Sequence, residues 1–133
     1  MYTGSCLCGG IRFQIKSELA PIELCHCQQC RKAQGVAFAT NSPISSDAFT
    51  LVSGDALLAE YESSTGKKRA FCRRCGSPIY SLRMSVPGVL RVRVGLIDGP
   101  LAVRPVAHAY VASRCNWWPI NDSLPQFPEA YSG

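Results

Sequence analysis

Seven of the eight cysteines in this sequence lie in three short motifs of the forms C-x-C, C-x-C-x-x-C and C-x-x-C. They are Cys6 and Cys8, then Cys25, Cys27 and Cys30, then Cys72 and Cys75. Two sulfurs at these intervals can reach one metal ion. The N-terminus MYTGSCLCGG lacks a basic and apolar signal segment, so we expect a cytoplasmic protein whose thiols stay reduced. Metal ligands or reactive thiols are therefore favoured over disulfides.

Spacing allows two groupings of these motifs. The first joins the outer motifs in one closed structural site of Cys6, Cys8, Cys72 and Cys75. The second is a zinc ribbon of Cys27, Cys30, Cys72 and Cys75. We expect Cys6 and Cys8 to share one face of a strand. Both outer motifs are followed by glycine, Gly9 and Gly76, as a turn with positive φ would favour. The shared glycine favours the first grouping, and the ribbon stays open as an alternative.

Under the first grouping, the middle motif has three thiolates and an open coordination position. Zinc with three protein ligands can accept a water or thiol as its fourth ligand. We expect Cys25 and Cys27 to share a strand face and Cys30 to lie where a helix begins, which would help keep its sulfur deprotonated. A closed structural site remains an equal alternative on sequence alone. Its fourth ligand would be His26, His108 or Cys115.

The elements around these motifs are predicted to be mainly β-strands. Ile11–Ile15 alternates with period two, and β patterns recur from Val36 onward with Pro43, Gly54 and Gly66 as breakers. In VLRVRVGLI, residues 89–97, arginines are expected outward and valines inward. One short helix is predicted over 28–34, ending at Gly35. A further strand is expected over 106–111, followed by a proline-broken tail. The chain is thus predicted to be a small antiparallel β fold pinned by metal, with one short helix.

Length and composition fit one soluble domain over residues 1–133. The chain has 47% hydrophobic and 17% charged residues, which is globular composition, and no apolar run long enough to span a bilayer. Its net charge of +5 falls to about +2 when seven thiolates and two zinc ions are counted. We therefore expect no membrane and no nucleic acid among the partners. The basic clusters, which are expected to be solvated or to offset thiolate charge, are Arg31-Lys32, Lys67-Lys68-Arg69 and Arg73-Arg74.

Three stretches in this order resemble the glutathione-dependent formaldehyde-activating enzyme family, which also includes centromere protein V. They are GSCLCGGIRF, CHCQQCRKAQG and FCRRCGSPIY. The resemblance extends to the family's closing motif, formed here by His108, Trp117 and Asp122-x-Leu124-Pro125-x-Phe127. The sequence is thus similar to that family over nearly its whole length, apart from a cysteine at position 115 where the family pattern predicts another residue.

The resemblance implies a β-tent fold of two small sheets and two zinc ions per chain. It implies a structural zinc at Cys6, Cys8, Cys72 and Cys75. It implies a catalytic zinc at Cys25, Cys27 and Cys30, which three ligands would hold less tightly than four. The implied activity is that of a carbon-sulfur lyase, which joins formaldehyde to a small thiol such as glutathione. Arg31 and Lys32 are candidates to attract a carboxylate of that thiol.

Two other functions remain alternatives at this stage. One is a non-catalytic zinc-binding module for nucleic acid or protein, as kinship with a centromere protein permits. The other is an enzyme similar to methionine sulfoxide reductase with Cys115 as its reactive thiol. The sequence does not identify the physiological thiol and aldehyde, or the oligomeric state.

Overall fold

The computed structural model describes residues 1–132, and Gly133, the last residue of the predicted domain, lies outside them. Within this range the chain forms ten β-strands, one α-helix and four short 3-10 turns. The strands belong to two sheets. The prediction of a mainly β fold with one short helix is therefore confirmed. The chain divides into two compact units, one of residues 1–20 with 42–101 and one of residues 21–41 with the chain from Ala102 onward.

The first unit contains most of the strands. A three-stranded antiparallel sheet has the order β1-β2-β5, with bounds Tyr2–Ser5, Arg12–Ile15 and Phe49–Ser53. Four further strands follow one another as antiparallel neighbours. They are β6 Leu58–Ser64, β7 Lys67–Cys72, β8 Pro78–Arg83 and β9 Val89–Arg93. Alternate apolar side chains of these strands are buried, including Phe13, Ile15, Ile79 and Val92.

The second unit carries the helix. β3 spans Ile22–Cys25, α1 spans Gln28–Gln34 and β10 spans Pro105–Ala109. β4, Ala39–Ser45, begins in this unit, where its first residues pair with β3 in the antiparallel direction. β10 lies on the other side of β3 and runs parallel to it. The predicted antiparallel arrangement therefore does not extend to the pair of β10 and β3.

The helix prediction is confirmed at both ends. Cys27, in the extended conformation, is the N-cap residue, and its sulfur accepts a hydrogen bond from the backbone N–H of Cys30. Gly35 ends the helix with φ 64°, and its N–H donates to the carbonyl of Arg31. A left-handed residue at this position is the common way to end a helix, and glycine adopts it without steric cost.

Three details of the strand predictions are wrong. Residues 36–38 form a bend, and β4 instead continues through Pro43. The pairing of β4 with β3 ends at Asn41, so the missing N–H of the proline removes no hydrogen bond from that pair. Arg93 does not point outward but is only 4% exposed. Its guanidinium turns back to the carbonyl of Arg91, which allows the alkyl part of the side chain to be buried.

Candidate metal centres

Four cysteines of the first unit form the larger cluster. Cys6 and Cys8 lie in the loop after β1, and Cys72 and Cys75 lie at the end of β7 and in the following turn. Their four Sγ atoms all lie within 4.8 Å of one another. The Sγ atom of Cys8 is 3.5 Å from that of Cys6 and 3.8 Å from that of Cys72. Tetrahedral zinc with Zn–S bonds of about 2.3 Å places its sulfurs about 3.8 Å apart, so this donor set fits a zinc ion.

Two similar turns present these sulfurs. Gly9 and Gly76 have φ of 76° and 82°, in agreement with the positive φ predicted for them. Their N–H groups donate to the carbonyls of Cys6 and Cys72 at 3.1 and 2.7 Å. The expectation that Cys6 and Cys8 share a strand face is wrong, because β1 ends at Ser5. The glycine-containing turn, rather than the two-residue period of a strand, brings the two sulfurs together.

Hydrogen bonds favour the thiolate form in this four-cysteine cluster. The backbone of Gly10 and the Arg74 side chain lower the pKa of Cys8, and Arg74 Nε donates to Cys8 Sγ at 3.3 Å. The hydroxyl and backbone of Ser77 lower the pKa of Cys75 to about 5. Arg74 thus offsets thiolate charge, as expected for a basic residue beside the motif. Burial instead raises the pKa of Cys72, so the hydrogen bonds favour thiolates at Cys8 and Cys75, while Cys72 would gain most from a bound cation.

The other three motif cysteines lie together in the second unit. Cys25 ends β3, Cys27 caps α1 and Cys30 lies in its first turn. Their Sγ atoms lie within 4.8 Å of one another. The expectation that Cys25 and Cys27 share a strand face is wrong, because the strand ends at Cys25 and the chain turns into the helix. Ala39 and Tyr110 pack against this three-cysteine cluster.

Crowding of the three sulfurs disfavours negative charge. Hydrogen bonds with Cys27 and Cys30, followed by burial, raise the pKa of Cys25 well above its ordinary value. A soft divalent cation such as zinc would reverse this effect by neutralising the thiolates. Within residues 1–132, no histidine, cysteine or carboxylate atom joins the three sulfurs as a fourth member of the cluster. The residues present therefore fit a three-sulfur zinc site with one coordination position left for another ligand.

The residues considered as a fourth ligand lie elsewhere in the second unit. His26 is 1% exposed, and its Nε2 atom lies 2.8 Å from Nδ1 of His108. Nε2 of His108 lies 3.0 Å from a carboxylate oxygen of Asp122. Cys115 is buried and lines a cavity of about 370 Å³. The sequence reasoning missed the contact between His26 and His108, although His108 and Asp122 were both part of the recognised closing motif.

The basic residues beside the three-cysteine cluster differ in exposure. Arg31 is half-buried and Lys32 is exposed, both within α1. Elsewhere, Lys68 forms an ion pair with Glu60 at 4.0 Å, and Arg69 Nε donates to the Ser63 hydroxyl. Among residues 1–132, no helix is long and apolar enough to span a bilayer.

The fold and the two cysteine clusters together define a small, mainly β protein with two candidate metal centres. The family model for the glutathione-dependent formaldehyde-activating enzymes matches residues 1–113, and the chain therefore belongs to that family. The matched range contains all seven cysteines of the two clusters. The resemblance identified from the three cysteine motifs is confirmed.

Two individual proteins extend this comparison. The protein named Uncharacterized lyase C29B12.13 from Schizosaccharomyces pombe is 32% identical over 82 residues, which cover 59% of this chain and 56% of the relative. The chain thus matches about half the length of that protein. A crystal structure of a Rhodobacter sphaeroides protein, Northeast Structural Genomics target RhR83, is similar with a TM-score of 0.63 and 27% identity. The similarity covers 78% of this chain and 99% of the solved one.

Proposed function

We propose that this protein is a zinc-dependent carbon-sulfur lyase that adds an aldehyde such as formaldehyde to a small thiol such as glutathione, or removes it. The observation that carries the proposal is the three-cysteine cluster, in which three sulfurs converge and no fourth protein ligand joins them among the described residues. The family name and the word lyase in the name of the yeast relative support the same class of reaction.

The proposed reaction requires no oxidant or reductant. In the direction of synthesis, a thiolate sulfur forms a bond to the aldehyde carbon, the C=O π electrons move to oxygen, and that oxygen takes up a proton. In the reverse direction, the hydroxyl loses its proton, the C=O bond re-forms and the C–S bond electrons return to sulfur. When bound, zinc would supply Lewis acidity that keeps a substrate thiol deprotonated near neutral pH.

The residues of the chain have distinct parts in this proposal. Cys25, Cys27 and Cys30 would hold the catalytic zinc, and the N–H of Cys30 supports the Cys27 sulfur at 3.3 Å. Arg31 would attract a substrate carboxylate more effectively than Lys32, because its half-buried guanidinium is less well solvated than the exposed ammonium group. Cys6, Cys8, Cys72 and Cys75 would hold a structural zinc. The cytoplasmic location and the single-domain organisation remain predictions.

A comparison of three cysteine variants tests the proposal. Cys27→Ser should lose one of two zinc ions and the activity while keeping its fold, whereas Cys75→Ser should lose the other zinc and destabilise the protein. Cys115→Ser is the matched control, because Cys115 lies outside both clusters. Zinc would be counted by elemental analysis, the fold followed by circular dichroism, and aldehyde addition measured by NMR exchange spectroscopy with formaldehyde and a panel of thiols.

Each variant has an outcome that would contradict the proposal. If Cys27→Ser unfolded as readily as Cys75→Ser, the second metal would be structural. If Cys115→Ser lost the activity with both zinc ions retained, an enzyme that uses Cys115 would be favoured instead. Retained binding to DNA at physiological salt would favour a nucleic-acid-binding module, because phosphate contacts dominate such affinity.

A further inference from the structure

One residue of the four-cysteine cluster lies at the protein surface. All eight cysteines fall within residues 1–132, and Cys8 alone among them is exposed. In the same cluster, Cys6 and Cys72 are buried and Cys75 is half-buried. The neighbouring Leu7 is 85% exposed, so this part of the loop after β1 stands away from the core. A reagent from solution would therefore meet the four-cysteine cluster first at Cys8.

Two buried sulfurs lie close to the sulfur of this exposed residue. The Sγ atom of Cys8 is 3.5 Å from that of Cys6 and 3.8 Å from that of Cys72. A disulfide bond is about 2.05 Å long, so an approach of about 1.5 to 1.8 Å would join Cys8 to either neighbour. A sulfenic acid on one cysteine condenses with a nearby thiol to give a disulfide. Oxidation at Cys8 could thus be completed by either neighbouring sulfur.

The guanidinium group of Arg74 contacts the same sulfur. Its Nε–H group donates to Cys8 Sγ at 3.3 Å. A Cβ atom at Gly10 would lie 2.5 Å from Nη2 of Arg74 and 2.5 Å from Cδ1 of Leu57, although Gly10 does not have a positive φ. Glycine at this position therefore leaves room for the guanidinium. A hydrogen bond from such an outer group withdraws electron density from a thiolate sulfur and makes it a weaker nucleophile.

We propose that Cys8 is a modification site at which a peroxide oxidises the four-cysteine cluster, and that Arg74 is the positioning residue that slows this oxidation by holding the Cys8 sulfur. The inference goes beyond the lyase activity, which gives this cluster no reacting group. A disulfide at Cys8 removes two of the four thiolates, and the cluster would then release its zinc. A peroxide is the class of oxidant that fits, because it is small and requires no binding pocket beside Cys8.

The proposed oxidation needs no reactant besides the peroxide and protons from water. The Cys8 thiolate attacks one peroxide oxygen, the S–O bond forms as the O–O bond breaks, and the departing hydroxide takes up a proton. The sulfur of Cys6 or Cys72 then attacks the Cys8 sulfur, and the S–S bond forms as the S–O bond breaks and a second hydroxide takes up a proton. Two thiolates thus lose two electrons while hydrogen peroxide becomes two waters. Two molecules of a small thiol would reverse the change by thiol–disulfide exchange at the exposed cysteine.

Stepwise oxidation of the zinc-loaded protein with hydrogen peroxide tests the site. Two isotopic forms of iodoacetamide, added before and after reduction, label the free and the oxidised cysteines for mass spectrometry, and a chromogenic chelator follows zinc release. Within this cluster Cys8 should be oxidised first, and its disulfide with Cys6 or Cys72 should form at the rate of one phase of zinc release. Earlier oxidation of Cys6, Cys72 or Cys75, or a disulfide in this cluster that excludes Cys8, would overturn the inference.

Three variants test the role of the guanidinium. Arg74→Ala should speed the oxidation of Cys8 about tenfold, as expected when an outer partner of a metal ligand is removed. Gly10→Ala should act in the same direction without a change of charge, because its methyl group displaces the Arg74 side chain. Arg73→Ala is the matched control, since it removes the same charge from an exposed neighbour.

The rates of these variants decide the part of Arg74. An unchanged or slower rate in Arg74→Ala, or an equal acceleration in Arg73→Ala, would contradict the role assigned to Arg74. Circular dichroism and zinc content, measured before oxidation, establish that each variant is folded and loaded. None of these outcomes bears on the lyase proposal, which depends on the three-cysteine cluster.

Discussion

The two cysteine clusters use one residue type in different surroundings. In the four-cysteine cluster, hydrogen bonds from Ser77 and from Gly10 and Arg74 lower the pKa of Cys75 and of Cys8. In the three-cysteine cluster, the neighbouring sulfurs themselves raise the pKa of Cys25. Burial also raises the pKa of Cys72 in the first cluster. The difference is therefore that the first cluster has donors that favour thiolates at two of its four cysteines, whereas the shift at Cys25 in the second cluster goes the other way.

The difference also concerns how each cluster is completed. Four sulfurs can complete the tetrahedral coordination of zinc without any other ligand, while three leave one position for water or a substrate. Cys72, at the end of β7, is 0% exposed, whereas Cys27 is half-buried at the start of the helix. The two clusters thus differ in cysteine number and in local hydrogen bonding, and our proposal assigns them different roles on that ground.

The largest expected effect is that of Cys72→Ser. Without this buried candidate ligand, the four-cysteine cluster should no longer hold zinc, and metal-binding free energy contributes directly to folding. We expect the melting temperature to fall by more than about 10 °C with the loss of one zinc ion. Thermal unfolding followed by circular dichroism, with Cys115→Ser as control, measures this. Equal falls in melting temperature in the two variants would contradict a structural role for the four-cysteine cluster.

A chelator should remove zinc from the two clusters at different rates. We expect the zinc at the three-cysteine cluster to leave at least about tenfold faster, because fewer thiolates hold it. A chromogenic chelator mixed with the zinc-loaded protein would show two phases of equal amplitude. In Cys27→Ser the fast phase should be missing. A single phase in the wild type would contradict the distinction between the clusters.

Two glycine substitutions sharpen the comparison further. Gly76 follows Cys75 of the four-cysteine cluster, and Gly35 ends the helix that carries Cys30 of the three-cysteine cluster, both with positive φ. An alanine Cβ would meet no atom within 4 Å at either site, so the cost is backbone strain of about 1 kcal/mol in each variant. Of these two variants, only Gly76→Ala should speed zinc release from the four-cysteine cluster. The N–H group of Gly76 donates to the carbonyl of Cys72 and so closes the turn between Cys72 and Cys75.

Urea unfolding measures these costs, with Gly95→Ala as control. Gly95 lacks a positive φ and also has open space around it, so its substitution should change the free energy of unfolding by less than about 0.5 kcal/mol. Zinc loss from the four-cysteine cluster that was faster in Gly35→Ala than in Gly76→Ala would contradict the role assigned to the Gly76 turn.

The smallest expected effect concerns pH. The hydrogen bond with His108, followed by that with Leu124, lowers the pKa of Asp122 below its ordinary 3.8. A carboxyl whose folded pKa is lowered stabilises the protein above its unfolded pKa, and this contribution is lost as pH falls through the folded pKa. The stability advantage of the wild type over Asp122→Asn should therefore be constant from pH 7 to about 5 and shrink below about 4. Urea unfolding at several pH values measures this difference in the free energy of unfolding. A wild-type advantage that grew toward low pH would contradict the prediction.

The sequence by itself determined the features that depend on neighbours along the chain. The three cysteine motifs, their family, the bounds of α1 and the positive φ of Gly9, Gly35 and Gly76 follow from local spacing and from steric limits on the backbone. The mainly β class follows from short alternating segments. These are short-range properties, which a single sequence carries in full.

Only the tertiary structure decided which distant residues meet. It grouped Cys6 and Cys8 with cysteines more than 60 positions away, where spacing had left two groupings open. It set His108 beside His26 through a parallel pairing of β10 with β3 whose register shifts between Pro105 and Ala107. A one-residue slip of that register would turn His108 to the opposite face. Strand register is set by contacts across the whole fold, and local spacing cannot contain it.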